Sequence, residues 1–387
     1  MLSTKFWIGL TTATALSSQL ALAADNIILR AELLGEAFQV EQLSNELRSP
    51  WGLDLISDHQ LLISEKSGHL VWLDIEQQQL LRQAVPFEIN SSGQGGLLDI
   101  KIAPADSGSS DRSTSSDESS RSDGSWVYLT YSKAQGRQAA TALGRFQWLN
   151  HQASDWQELW VSDSWQNSGQ HFGSRIAFDQ QGHVFFSVGD RGDRDQSQNV
   201  SNAIGGILRL TLDGQVPQDN PFVDSGYPAL WSYGHRNPQG LFFDHTTNSL
   251  WSNEHGPRGG DEINLIQPGA NYGWPRVTTG REYWGPRIGT TSLPSMVDPL
   301  HDWTPSIAPS SLLIYRQPAF ANWQSLFIST ALAGQHLNLV DLRQRPAVEH
   351  RILTELNERL RAARLDSEGR ILILTDSGRL LRVSPAP

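Results

Sequence analysis

The chain has 387 residues, no cysteine, and 41 acidic against 30 basic side chains, a formal charge of −11. That balance argues against a nucleic-acid partner, whose phosphates need a basic face, and suits small neutral substrates or metal cations. Fourteen Trp, 33 Gly and 19 Pro favour short strands, tight turns and aromatic packing over helices.

Residues 1–23 read as an export signal. Lys5 gives a sparse positive start, Phe6 to Leu22 is mostly apolar, and Ala21-Leu22-Ala23 has the small-x-small cleavage pattern. Thr11, Thr12, Thr14, Ser17, Ser18 and Gln19 interrupt the run, so no stable membrane insertion is expected. The mature chain, 24–387, loses one lysine and carries a charge near −12. Its expected address is the periplasm, where a protein without thiols avoids their oxidation.

One module then recurs: apolar strand, polar turn with Gly, second strand, further turn and strand. It runs from Trp51 to Asp74, around Gly96–Ile102 with Trp126–Tyr131, then Arg175–Gly189, Gln239–Ser252, Ser325–Asp341 and Ala363–Thr375. Apolar runs of about four to eight residues bounded by Gly, Asp and Asn are strand-and-hairpin signals. Six such units at spacings of roughly 45 to 65 residues predict an all-β fold, a six-bladed β-propeller of four-stranded antiparallel sheets. The competing double-sheet sandwich rarely repeats one sheet motif so often. Residues 104–125, rich in Ser and Asp and nearly without apolar side chains, predict a disordered surface loop inserted in one blade.

The polar groups concentrate where Gly and Pro make the backbone irregular, as ligand-binding loops on rigid scaffolds do. The densest stretch is Tyr233-Gly-His-Arg-Asn-Pro-Gln-Gly240, followed by Asn253-Glu-His-Gly-Pro-Arg-Gly-Gly-Asp-Glu-Ile-Asn-Leu265 and Gly269-Ala-Asn-Tyr-Gly-Trp-Pro275. Gly256 and Pro257 can present adjacent carbonyls, which calcium accepts alongside carboxylates and water. Asp261 and Glu262 read either as part of such a cation site or as turn caps paired with Arg258. His171, in Gly169-Gln-His-Phe-Gly-Ser-Arg175, stands directly before a blade's first strand, as a hydrogen-bonded structural residue or as a catalyst. Gln94, in Gly93-Gln-Gly-Gly-Leu-Leu-Asp99, lies between glycines that permit close backbone approach to a flat ligand. Nicotinamide, nucleotide, zincin and esterase motifs are absent.

In this order, these motifs and Pro305-Ser-Ile-Ala-Pro-Ser310 resemble the soluble quinoprotein glucose dehydrogenase and aldose sugar dehydrogenase family, over Pro50 to about Leu381. The resemblance implies oxidation of the C1 hydroxyl of aldose sugars to the lactone, with pyrroloquinoline quinone (PQQ) and Ca2+ as cofactors. The final electron acceptor is left open as a quinone or a small redox protein. By the same resemblance His171 is the general base and Arg236 a catalytic and cofactor contact, with Asn237 also touching the cofactor. Gly256 and Pro257 match carbonyl ligands of a cofactor-bound calcium; Glu262 and Tyr272 match ligands of a second one. Gln94, Gln239, Asp261 and Tyr283 fall at or near positions around the quinone. Trp303, Ser306 and Ala308 match a cofactor-facing stretch, and Arg359 and Arg361 a basic pair for its carboxylates.

Three positions depart from the family's pattern. Gln170 precedes His171 where the glucose dehydrogenase branch has Asp, Leu332 falls near that branch's cofactor-binding Lys, and Ala362 follows the basic pair where an acid is common. Two other functions remain compatible with the scaffold: a non-enzymatic propeller binding a carbohydrate or protein, and a calcium-dependent lactonase.

Overall fold

The computed structural model describes residues 26–104 and 125–387. The expected signal over 1–23 and, apart from its end residues, the Ser/Asp-rich stretch 104–125 lie outside the described residues.

Two strands open the described chain, β1 (Ile27–Leu33) and β2 (Glu36–Ser44). The first blade follows as β3 (Pro50–Leu55), β4 (Gln60–Glu65), β5 (His69–Asp74) and β6 (Gln79–Ala84). The second is β7 (Leu97–Ile102), β8 (Ser125–Gln135), β9 (Gln138–Leu149) and β10 (Gln152–Val161). The third is β11 (Ile176–Phe178), β12 (His183–Val188), β13 (Gly206–Thr211) and β14 (Leu230–Tyr233). The fourth is β15 (Pro238–Asp244), β16 (Ser249–Glu254), β17 (Asp261–Ile266) and β18 (His301–Trp303). The fifth is β19 (Pro309–Ile314), β20 (Phe327–Ala331), β21 (Leu337–Asp341) and β22 (Val348–Ile352). The last begins with β23 (Leu360–Leu365), β24 (Ile371–Thr375) and β25 (Leu380–Pro385).

All pairings within these sheets are antiparallel and, except where the last blade closes, sequential, and the innermost strands β3, β7, β11, β15, β19 and β23 touch one another in a closed ring. The six-bladed propeller expected from the repeats is the fold. The closing blade was not legible in them: β2 pairs with β25, Val40 opposite Val383, and β1 adds a fifth strand outside it. The two ends of the described chain are thereby joined in one sheet.

Strand periodicity explains why a ring this large coheres. Successive side chains point to opposite sheet faces, and each blade lies between two neighbours. In β4, Leu61 and Ile63 pack with Leu372 and Leu374 of the last blade, while Leu62 packs with Leu97 and Ile100 of the second. The same division repeats around the ring, so each junction between neighbouring blades has its own apolar cluster. The axis is polar instead. Arg175 is buried there, donating to Asp99 Oδ1 at 2.9 Å, to the Gln239 carbonyl at 2.9 Å and to the Ser310 carbonyl, with its guanidinium over the Trp51 ring. One side chain thus ties together inner residues from most of the blades.

Candidate active site

Residues that lead into the innermost strands gather at one mouth of the ring, above Arg175. A cavity of about 400 Å³ opens there, between Trp51, Gln94, Phe172, Gln239, Ala308, Arg359 and Arg361. Gln94 does more than line it. Its side-chain oxygen accepts the His171 amide at 2.8 Å and its own amide donates to the Gly169 carbonyl at 2.7 Å. A Cβ on Gly93 would strike that same Gly169 carbonyl. Gly93 therefore brings two loops together while it and Gln94 also line the cavity.

His171 is held on every side. Its backbone is left-handed (φ 54°), a conformation His tolerates better than most residues but which still marks local strain. Arg191 lies over the Phe172 ring and donates to the Ser168 carbonyl at 2.8 Å and to the Gln170 carbonyl. The imidazole Nδ1 is 2.6 Å from Asp190 Oδ1, and Asp190 Oδ2 accepts Trp274 Nε1 at 2.9 Å. Asp190 accepts from the Gly192 amide as well, and its pKa lies below the usual aspartate value despite burial, drawn down by its bond to His171. An ionised Asp190 can only accept, so Nδ1 carries the proton and Nε2 keeps its lone pair. Burial foremost, then the charge of Arg236, pulls the imidazole below its ordinary pKa, with Asp190 pulling the other way. The orienting acid missing at Gln170 is supplied by Asp190.

Arg236 and Asn237 precede β15. The Arg236 guanidinium donates to the carbonyls of His255 (3.1 Å) and Gly256 (2.8 Å), and Trp274 lies 5.3 Å from it. Asn237 Oδ1 accepts the Gly173 amide at 3.1 Å, while Asn237 Nδ2 and Arg236 Nε are buried without a partner. Gln239 donates to the Gly173 carbonyl at 3.0 Å. His255 also faces the cavity; burial lowers its pKa to about 3, so it stays neutral.

Asp261, Ser306 and Trp303 are scaffold here. Asp261 Oδ1 accepts the Gly256 amide at 2.8 Å, and Oδ2 accepts those of Ile307 and Ala308 at 2.7 Å each, while burial raises its pKa to about 6. Ser306 accepts the Gly259 amide, and Trp303 is buried in the cluster between the fourth and fifth blades. Ala308, in a left-handed turn (φ 54°), does line the cavity. Tyr283 does not: it is 71% exposed at a hairpin tip. Arg258 is exposed and pairs with neither Asp261 nor Glu262.

Arg359 and Arg361 both reach Asp376, at 2.9 and 2.8 Å, and Lys66 Nζ donates to the Gly93 carbonyl at 2.9 Å. The cavity thus holds three cations against one carboxylate, with Lys66 and the apolar Leu332 both in its lining. Planar polyanions fit such a lining, with its excess positive charge and an aromatic wall at Trp51 and Phe172.

A void of about 10 Å³ lies beside this cavity, between Glu254, Glu262, Tyr272, Gly256 and Gly260. Glu254 is bonded to His235 (2.8 Å) and to the Arg236 amide (2.7 Å). Burial and the neighbouring Glu254 push the Glu262 carboxyl well above its usual pKa. The Tyr272 hydroxyl is engaged by Leu265 and Gln267, which leaves its carbonyl as the available ligand. Among the described residues no three acid or imidazole groups form a metal cluster, so a hard cation here would need backbone oxygens. The Pro257 carbonyl, which no described donor reaches, fits that need.

Comparison with known proteins adds to this geometry. The family model "Glucose / Sorbosone dehydrogenase" matches residues 47–382. The chain is 36% identical over 359 residues to "Aldose sugar dehydrogenase YliI" of Escherichia coli K12, covering 89% of this chain and 92% of that one. The apo crystal structure of the soluble aldose sugar dehydrogenase of Escherichia coli superposes with a TM-score of 0.81 at 33% identity, covering 90% of this chain and all of that one. The PQQ-bound aldose sugar dehydrogenase of Streptomyces coelicolor gives 0.71 at 26% identity, covering 90% and 98%.

Proposed function

The chain belongs to the glucose/sorbosone dehydrogenase family, and from that premise we propose that it is a PQQ-dependent aldose sugar dehydrogenase that converts the C1 hydroxyl of an aldose to the lactone, with calcium beside the cofactor, in the periplasm. The observation that carries this reading is the His171–Asp190 pair, which adjoins the cation-lined cavity through Gln94 and Phe172.

His171 Nε2 takes the proton of the C1 hydroxyl, since Nδ1–H is committed to Asp190. Asp190 then balances the imidazolium until it releases the proton to solvent. When bound, PQQ supplies the carbonyl that accepts the hydride from C1. Arg236 brings fixed positive charge to the side of the site where negative charge develops, already oriented by two carbonyls. Lys66, Arg359 and Arg361 would hold the cofactor's carboxylates, and Asn237 Nδ2 would donate to one of its oxygens. The carbonyls of Gly256 and Pro257 would hold the cofactor-bound calcium, and Glu262 with the Tyr272 carbonyl a second, more structural one.

The test is dye-linked oxidation of glucose, galactose, xylose and maltose by purified apoprotein, with PQQ and calcium added singly and together. Turnover that requires both supports the proposal. Calcium-dependent lactone hydrolysis without PQQ would favour the lactonase, and neither activity the non-enzymatic propeller.

A further inference from the structure

In this acidic chain, four exposed arginines stand on one loop system beside the site, and among the described residues no acid pairs with them. Arg258 and Arg281 oppose each other through reciprocal backbone hydrogen bonds of 3.2 and 3.1 Å, and Arg281 is bridged in turn to Arg287. Directly opposed antiparallel residues project to the same face, where like charges are destabilising. Arg276 precedes this hairpin, and among the described residues none of the four side chains makes a hydrogen bond or ion pair. The acid nearest in sequence, Glu282, is taken by Arg194 at 2.6 Å. Between Arg281 and Arg287 a tight tip, closed by Glu282 N to Pro286 O at 2.9 Å, holds Tyr283 and Trp284 out at 71% and 80% exposure.

Among the described residues nothing offsets this repulsion or covers the two solvated rings, which suits a surface built to meet a partner. Arg, Trp and Tyr are the residue types that dominate the energetics of protein interfaces. Position supplies the rest. Gly280 packs on the Pro257 ring so closely that a Cβ there would lie 2.8 Å from its Cδ, so whatever docks on the hairpin sits against the wall of the site.

We propose that this hairpin is the docking face for the electron acceptor, a small one-electron carrier protein with an acidic surface. The inference rests on the dehydrogenase reading. Oxidation breaks the C1–H and O–H bonds of the hemiacetal and forms the lactone C=O, releasing two electrons and two protons. Two oxidised carriers, docking in turn, each take one electron, and the protons pass to solvent.

The test uses the holoenzyme with PQQ and calcium, an aldose, and two forms of one probe: lysine-rich cytochrome c and the same protein with its lysines succinylated, which makes it acidic. A small uncharged benzoquinone serves as reference acceptor. The wild type should reduce the succinylated form at least about tenfold faster than the native form at low salt, with the advantage falling as salt rises. In the double variant R281E/R287E that rate should drop about tenfold, with benzoquinone turnover unchanged. Equal rates for wild type and variant on succinylated cytochrome c, or a preference for the native form, would overturn the docking face. So would binding to phosphatidylglycerol vesicles that the variant loses while its cytochrome reduction is intact. Failure of the wild type to oxidise aldose even with benzoquinone would instead remove the dehydrogenase reading on which the inference stands.

Discussion

His171 illustrates how one residue's chemistry is set by groups far away in sequence. Burial and Arg236 pull its imidazole below the ordinary pKa, and Asp190, 19 residues on, fixes which nitrogen keeps its lone pair. Because the proposed base would act in its neutral form, kcat/KM should be lost only as pH falls below the ordinary imidazole value of about 6.5. Asp190→Asn should lower kcat roughly 10²- to 10⁴-fold, since the tautomer is no longer enforced. It should also move the acid limb further down, because the hydrogen bond that raises the imidazole pKa is lost. Stopped-flow turnover across pH checks both, and an unchanged kcat would exclude Asp190 from the mechanism. Asp190 could have been suspected from the sequence: Ser-Val-Gly-Asp ends a blade's second strand, and such strand ends reach the same mouth as the loop holding His171.

That regularity belongs to the element scale. The turn after the second strand delivers Lys66 in the first blade, His255 in the fourth, Leu332 in the fifth and Asp376 in the sixth, and all four line the cavity. Loops entering the first strands deliver Gln94, Phe172 and Ala308 from the other direction. The sequence motifs captured the second set, because Gly and Pro mark those loops, and largely missed the first, where a single polar residue follows an ordinary strand. Asp261 shows a role the motif did not reveal, since a carboxylate amid ligand-like residues clamps three backbone amides, one in the turn after β16 and two at the entry to β19. Asp261→Ala should leave those amides without an acceptor and cost on the order of 3 kcal/mol, measurable by urea unfolding. It should also weaken calcium binding by loosening the Gly256–Pro257 turn; full stability in that variant would refute the clamp.

Across the whole molecule, cohesion comes from junctions between blades and from one closure. Val40 in β2 is fully buried, opposite Val383, in the cluster that joins the fifth and sixth blades. Val40→Asp places an unpaired charge in that seam and should destabilise the protein by more than about 3 kcal/mol. Denaturant midpoints compared with a Val40→Ile control would show it, and a loss below about 1 kcal/mol would mean that the ring holds without its seam.

The sequence by itself determined the repeat, its strand periodicity and the ordered motifs, and through them the propeller and its family. Alternation of apolar residues is local, and a strand with two buried faces, as in Leu61-Leu62-Ile63, already implies neighbours on both sides. Only the tertiary structure decided which distant turns share a mouth. It set Lys66 near Arg361, paired Asp190 with His171, sent Tyr283 outward, and joined residues 36–44 to 380–385. The reason is physical: local patterning records which face of a strand is buried, whereas contacts between blades follow from closing the ring, to which every blade contributes.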